Sequence, residues 1–349
     1  MHFIYDCSLF LFKIVIVIFF IIFVSSIILK ISRKKNKNFG ILSVSSLNDH
    51  YELVKNSIIV QLMDKKTKKL WNKKNKMLKR STLLTNNNKL IDKDHNIIVV
   101  RAQPTLYVID FKGGIAAHEV KSLREEISSI ISVAQKHDEV LLRLESSGGT
   151  IHGYGLAAVQ LQRLRSRKIF LTISIDKIAT SGGYMMACVA NYIIATPFSI
   201  IGSIGVVAQF PNIHKFLKKN NIDVELHTAG VHKRTLTIFG ENTPEDRKKF
   251  VEELNVAHDL FKKFVKTMRP SLNIEKLSNG ECWFGSIALK KKLVDDINTS
   301  DDFIISRIRK FNILHVKFKY NESIIKALFY KKLKTINNLI YKYLNNKLF

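Results

Sequence analysis

The sequence predicts an α/β protein: a largely parallel sheet covered by helices, joined to an N-terminal membrane anchor. Two observations carry this. From residue 97 onward, short β-branched apolar runs alternate with segments whose apolar residues recur at helical spacing, and such alternation implies βαβ units. Ahead of them, residues 8–29 (SLFLFKIVIVIFFIIFVSSIIL) are apolar except for Lys13 near one end, and about 20 such residues span a bilayer as a helix. At 46% hydrophobic residues, a chain of 349 can also bury a sizeable core.

The elements follow in order. A cleaved signal peptide needs a basic start and a small-residue cleavage site; the start MHFIYD is not basic and no such site follows, so the anchor is expected to be retained. Lys30-Ile31-Ser32-Arg33-Lys34-Lys35-Asn36-Lys37 comes next. The positive-inside rule puts that flank in the cytoplasm, and its charge suits anionic headgroups. Residues 1–37 are therefore taken as anchor and basic flank. Residues 38–98 form a polar, basic helical or linker region. Within it, Leu47, Tyr51, Val54, Ile58 and Leu62 place an amphipathic helix over 45–64. The basic run after it suits either a membrane surface or solvent.

The catalytic-type domain is expected over 99–316. Strands are predicted at 106–111, 139–144, 169–175 and 192–195, with a further one at Val224–His227. Helices are predicted at 117–136, 153–167 and 181–190. A long helix starts at Thr243-Pro244-Glu245 and runs to Met268, ended by Pro270. Residues 317–349 form a basic amphipathic tail, read by default as a packing helix.

Composition narrows the function classes. Lys+Arg total 56 against 29 Asp+Glu, a net charge of +27, which suits nucleic acid or an anionic surface. There is no nucleic-acid motif and no basic stripe interleaved with aromatics, so nucleic acid is not expected as a partner. Cys7, Cys188 and Cys282 are far apart and no HExxH or CxxC occurs, so neither a metal nor a cofactor is indicated.

Four short stretches carry the chemistry. Leu144-Glu145-Ser146-Ser147-Gly148-Gly149-Thr150 closes a predicted strand, at the sheet edge where sites form. Glycines there let backbone N–H groups face an oxyanion; an ordinary Gly-Gly turn fits equally. Ile178-Ala179-Thr180-Ser181-Gly182-Gly183-Tyr184 hands a strand over to a helix, exposing the Ser181 hydroxyl beside free helical N–H groups. Serine needs a base, and no Gly-x-Ser-x-Gly surrounds it. His118, His137, His152, His227 and His232 each fit a surface or core role. Ala229-Gly230-Val231-His232-Lys233-Arg234-Thr235 supplies Lys233, and a lysine acts as a base when burial lowers its pKa from ~10.4. Lys177 is a rival by proximity. In Ile201-Gly202-Ser203-Ile204-Gly205-Val206, Ser203 could steady an amine or be a plain turn residue.

Taken together and in this order, the four stretches resemble the serine-lysine peptidases of the signal peptide peptidase A family. Trp283-Phe284-Gly285, Ala288 and Leu293-Val294-Asp295 resemble the family's closing segment. The likeness runs from the anchor to Asp301. It implies a Clp protease/crotonase-like β-α superhelix with Ser181 as nucleophile and Lys233 as general base. Ser203 would orient the lysine, and the Gly148 and Gly182 N–H groups would form the oxyanion hole. It also implies peptide or protein substrates, no cofactor, ring-like homo-oligomers and the cell inner membrane. The side of the catalytic domain stays open: Lys30–Lys37 argues for the cytoplasm, the family for a periplasmic alternative. One departure is Ser147, where the family usually has Pro, making the turn less pre-organised by ~1 kcal/mol. Two alternatives are a crotonase-type acyl enzyme and a catalytically idle membrane scaffold.

Overall fold

A computed structural model describes residues 40–71, 73, 77, 89–91, 97–99, 101–230 and 233–320. The expected anchor at 8–29, its basic flank and most of the 317–349 tail lie outside these residues. Among the described residues no helix is long and apolar enough to cross a membrane.

Strand β1 (Ile41–Ser46) runs into helix α1 (Leu47–Leu62), and β2 (Lys89–Ile91) pairs antiparallel with β3 (Ile97–Val99). Then come β4 (Thr105–Gly113), α2 (Val120–Val133), β5 (Glu139–Ser146), α3 (Ile151–Ser166), β6 (Phe170–Ile175), β7 (Ile178–Thr180), α4 (Gly182–Ala187), β8 (Tyr192–Ala195) and β9 (Ile200–Gly202). After these follow α5 (His214–Lys219), α6 (Pro244–Met268), α7 (Ile274–Leu277), β10 (Cys282–Phe284), α8 (Gly285–Lys290), β11 (Asp296–Ile297), α9 (Ser300–Arg307) and β12 (Asn312–Lys319). The main sheet has the order β1-β12-β4-β5-β6-β8-β11. From β12 through β11 along this order the strands pair in parallel. This is the α/β class that the alternation predicts.

Residues 43–317 make one compact unit, and the described residues 40–42 and 318–320 belong to a second. Within the smaller unit, the Phe318 ring and the Lys319 carbonyl pack on Gly40.

Parallel strands buried on both faces need apolar residues at successive positions, and β4 shows why. Tyr107, Ile109 and Phe111 enter the larger core with Leu123, Ile127 and Ile130 of α2 and Leu161 and Leu164 of α3. The intervening Leu106 and Val108 enter a second core with Phe303 and Ile304 of α9. The long helix begins where Thr243-Pro244 predicts. The Thr243 side chain accepts the Asp246 N–H, the Asp246 carboxylate accepts the Thr243 N–H, and Pro244 occupies the first turn. Cys188 is fully buried, and burial pushes its thiol pKa up, as a small core residue requires.

One expectation changes. No strand forms at Val224–His227; residues 221–230 are all exposed and lack a strand partner, and apolar–polar alternation alone cannot make a strand without a ladder. The helix expected over 45–64 forms as α1. The Asn48 side chain in α1 donates to the Ile308 and Phe311 carbonyls, and its Oδ1 accepts the Ile313 N–H. The first helix is thereby tied to the start of β12.

A charged group sits between β4, β5 and β12. Arg143 Nε donates to Asp110 Oδ1 at 2.6 Å, and His315 Nε2 lies 2.9 Å from Asp110 Oδ2. Burial alone would push the Asp110 carboxyl up, but the His315 and Arg143 hydrogen bonds outweigh it and hold it well below the usual carboxylate range. A depressed folded-state pKa contributes stability above the unfolded value of about 3.9. That contribution is lost as pH falls from there through the folded value. Thermal midpoints measured between pH 6 and pH 2 should therefore drop more steeply in the wild type than in Asp110→Asn.

Candidate active site

The site is assembled by strand register. Ser146, the last residue of β5, pairs with Ala179 of β7. Two residues further along each strand stand Gly148 and Ser181. On the other side of β7, Thr180 pairs with Gly202 of β9, which brings Ser203 up to Ser181. Two side bonds lock this edge: Ser181 N–H donates to the Gly202 carbonyl at 2.8 Å, and Thr180 Oγ1 donates to the Ser147 carbonyl at 3.1 Å. Four residues named from sequence, Gly148, Ser181, Gly182 and Ser203, thus gather at the carboxyl ends of three strands.

Ser181 is held at φ 53°, ψ −119°, immediately before α4. A non-glycine residue at positive φ costs of order 1–3 kcal/mol, and such outliers cluster at functional sites. The bend turns the chain from β7 into α4. The Ser181 carbonyl accepts the Met185 N–H at 3.0 Å. Its side chain caps nothing and, among the described residues, has no hydrogen-bond partner. Ser181 is half-buried at the edge of a fully buried helix. A hydroxyl of this kind is free to react.

Gly148 explains how the backbone comes so close. It has φ 90°, and a β-carbon added there would stand 2.7 Å from Ser181 Cβ and 2.9 Å from Gly182 N. Only glycine permits both the angle and the approach. Gly182 in turn lies against the Tyr154 ring of α3. The Gly182 N–H belongs to the first turn of α4, where helical N–H groups lack internal partners. The Gly148 N–H donates to Ser146 Oγ at 3.0 Å. Ser146 and Tyr154, whose hydroxyls bond each other, went unremarked in the sequence; a hydroxyl two residues before the glycine is the one signal that marks them.

The closing segment buttresses the edge from behind. Trp283 pairs with Ile201, and its ring lies against Gly202. Arg269 reaches both Asp295 carboxylate oxygens, at 2.7 and 2.8 Å, while Asp295 Oδ2 accepts the Ile193 N–H. The Tyr184 hydroxyl donates to the Leu293 carbonyl at 3.0 Å.

The lysine stands apart. Lys233 is exposed in the loop after Gly230, its N–H donating to the Gly230 carbonyl at 3.1 Å. No hydrogen bond among the described residues joins it to Ser181. Ser203 sits at φ 53° with its N–H on the Glu281 carbonyl at 2.7 Å. Lys177 is exposed and turned to Glu145 at 3.5 Å. His227 faces Glu225, and His232 lies outside the described residues. Among the described residues no group of three or more His, Cys, Asp or Glu is placed to hold a metal.

Comparison with known proteins gives the chain's family. Residues 2–161 match the description "Peptidase family S49 N-terminal" and residues 163–311 match "Peptidase family S49". The chain belongs to peptidase family S49. Its activity class is accordingly that of a peptidase. A "Probable protease SohB" of Buchnera aphidicola subsp. Schlechtendalia chinensis is 59% identical, covering 88% of this chain and 100% of the relative. The protein of the same name in Haemophilus influenzae is 52% identical over 68% of this chain and 67% of its own. A solved alanine variant of the 1510-N membrane-bound stomatin-specific protease, in complex with a substrate peptide, overlays 66% of this chain and 97% of its own, with TM-score 0.41 and 13% identity. The S49 assignment agrees with the family that the four motifs resemble.

Gly148→Ala tests the packing of this S49 site. The added methyl group must push the turn off Ser181. Where the Gly148 turn serves Ser181 as a backbone donor, displacing it is expected to slow phosphonylation of Ser181 by a fluorophosphonate by roughly a hundredfold or more, measured by intact mass.

Proposed function

We propose that this chain is a membrane-anchored serine endopeptidase that works through a Ser181–Lys233 dyad. The observation that carries the proposal is the strained, unpartnered Ser181, with Gly148 and Gly182 packed against it. Ser181 Oγ attacks the carbonyl carbon of a peptide bond while Lys233 Nζ takes its proton. The negative charge that forms on the carbonyl oxygen is met by backbone N–H groups of Gly182 and of the Gly148 turn. Collapse expels the amine, which carries off the proton, and leaves an acyl-enzyme on Ser181. Water, deprotonated by the same lysine, then releases the acid. Ser203 steadies the amine.

For the dyad to act, the 206–243 segment must bring Lys233 onto Ser181. This segment presents apolar side chains to solvent, with Val207 88%, Phe216 65% and Phe239 48% exposed. Burial of such a surface against a neighbouring copy supplies the force for closure, so the proposal includes a homo-oligomer. Residues 8–29 anchor the chain in the inner membrane, beside peptide or protein substrates. No cofactor enters the reaction.

Detergent-solubilised protein treated with a fluorophosphonate, followed by intact mass and peptide mapping, is the decisive experiment. Wild type should be modified at Ser181 and Ser181→Ala should not. Lys233→Ala should lose modification by a factor of about a thousand or more, the scale seen when a nucleophile loses its base. Full-rate modification of Lys233→Ala would remove the lysine from the mechanism. An unmodified wild type would favour an idle membrane scaffold.

A further inference from the structure

We propose that Tyr154 is a positioning residue for the oxyanion site, acting on both Gly148 and Gly182 at once. The inference rests on the acyl-transfer reading of Ser181 and adds a residue that the reading does not require. Tyr154 lies on α3 and is fully buried. Its Cβ and the ring atoms Cγ and Cδ2 form the floor beneath Gly182. Its hydroxyl, at the other end, bonds Ser146 Oγ and donates to the Gly114 carbonyl at 2.9 Å.

The direction of the chain of bonds follows from counting protons. The Tyr154 proton goes to Gly114, whose carbonyl can only accept. Either hydroxyl can donate in the Ser146–Tyr154 bond. With Tyr154 donating to Gly114 at 2.9 Å, the Ser146 proton goes to Tyr154 in preference to the Gly113 carbonyl at 3.4 Å, and Ser146 Oγ accepts the Gly148 N–H at 3.0 Å. The sequence Gly148 N–H, Ser146 O–H, Tyr154 O–H, Gly114 carbonyl is a single-file run in which each bond polarises the next. Burial pushes the Tyr154 phenol pKa up, so the proton that orders the run stays in place at working pH.

Two consequences follow. The peptide plane of Gly148 is set by Ser146, which is set by Tyr154, so one buried side chain indexes the turn and the start of α4 against each other. The Gly148 N–H is also kept satisfied while the site is empty, by an acceptor that an incoming oxyanion can share or replace. Tyr154→Phe separates these contacts cleanly. The ring beneath Gly182 remains, while Ser146 loses its acceptor and is left with the Gly113 carbonyl at 3.4 Å. With only that longer bond for its proton, Ser146 Oγ is no longer polarised by Tyr154 and accepts the Gly148 N–H less strongly.

The test measures fluorophosphonate modification of Ser181 in the full-length protein, resolved into a maximal rate and a half-saturating concentration. It is paired with hydrogen exchange across residues 145–150. Tyr154→Phe should lower the maximal rate about tenfold at a half-saturating concentration within twofold of wild type, and should speed exchange in that peptide. Ser146→Ala should do the same, and the double variant should be no slower than either single one, because all three break one chain. Tyr107→Phe, which strips a buried hydroxyl from an Arg101–Asp138 group elsewhere, should leave the rate unchanged. An unaltered rate in Tyr154→Phe and Ser146→Ala overturns the proposal, as does an equal loss in Tyr107→Phe. Exchange at 145–150 that ignores both substitutions also overturns it, by a readout independent of chemistry. A wild type that exchanges as described but is never modified would overturn the Ser181 reading instead.

Discussion

Gly148 and Ser181 approach so closely that one added carbon on the glycine would stand 2.7 Å from Ser181 Cβ. Much else at the sheet edge depends on that approach. It requires β5 and β7 to end in register, which the Ser146–Ala179 pairing provides. It requires the chain to leave β7 at a sharp angle, which the positive φ of Ser181 provides. It also requires α4 to start without a side chain on its inner face, because the Tyr154 ring already fills that space. Each condition is met by residues too small or too constrained to be exchanged freely, and together they set the Ser181 hydroxyl beside the backbone of Gly148 and Gly182.

The strain at this edge has to be held by something. Local backbone strain persists only where the surroundings over-determine it, and here they come from distant parts of the chain. Trp283 packs beneath Gly202. Tyr184 is tied to Leu293, and the Arg269–Asp295 pair fastens the end of the long helix to the start of β8. The segment 269–295 thus acts as a clamp on a site built from residues 146–203. The Asp110–Arg143–His315 group plays a comparable part in joining β4, β5 and β12.

Legibility in the sequence followed the length and periodicity of each element. The long helix from Pro244 to Met268 was readable end to end, because Thr243 and Pro244 start it and its pattern runs for many turns. The strand Tyr192–Ala195 was readable as a buried β-branched run. The three-residue strands β7, β9 and β10 were not, since three residues carry no period; they exist only because neighbouring strands offer a ladder. Val224–His227 shows the converse, a strand-like alternation of apolar and polar residues with no strand to pair with. Strands β1 and β12 escaped notice because their polar, alternating residues hide among basic segments.

By itself the sequence determined the α/β class, the serine at a strand-to-helix junction and the glycines beside it. These are local matters of composition, spacing and backbone freedom. Tertiary structure alone decided that Gly148, Ser181 and Ser203 meet, because their meeting depends on the register of three strands distant in sequence. It alone placed Tyr154 and Ser146 beneath the site, since a buried tyrosine on an amphipathic helix looks like any other core residue until its hydroxyl is seen to have a partner. Lys233 marks the boundary between the two. Its motif is legible, yet among the described residues its loop packs on no sheet, and only a surface able to bury that loop would seat the lysine.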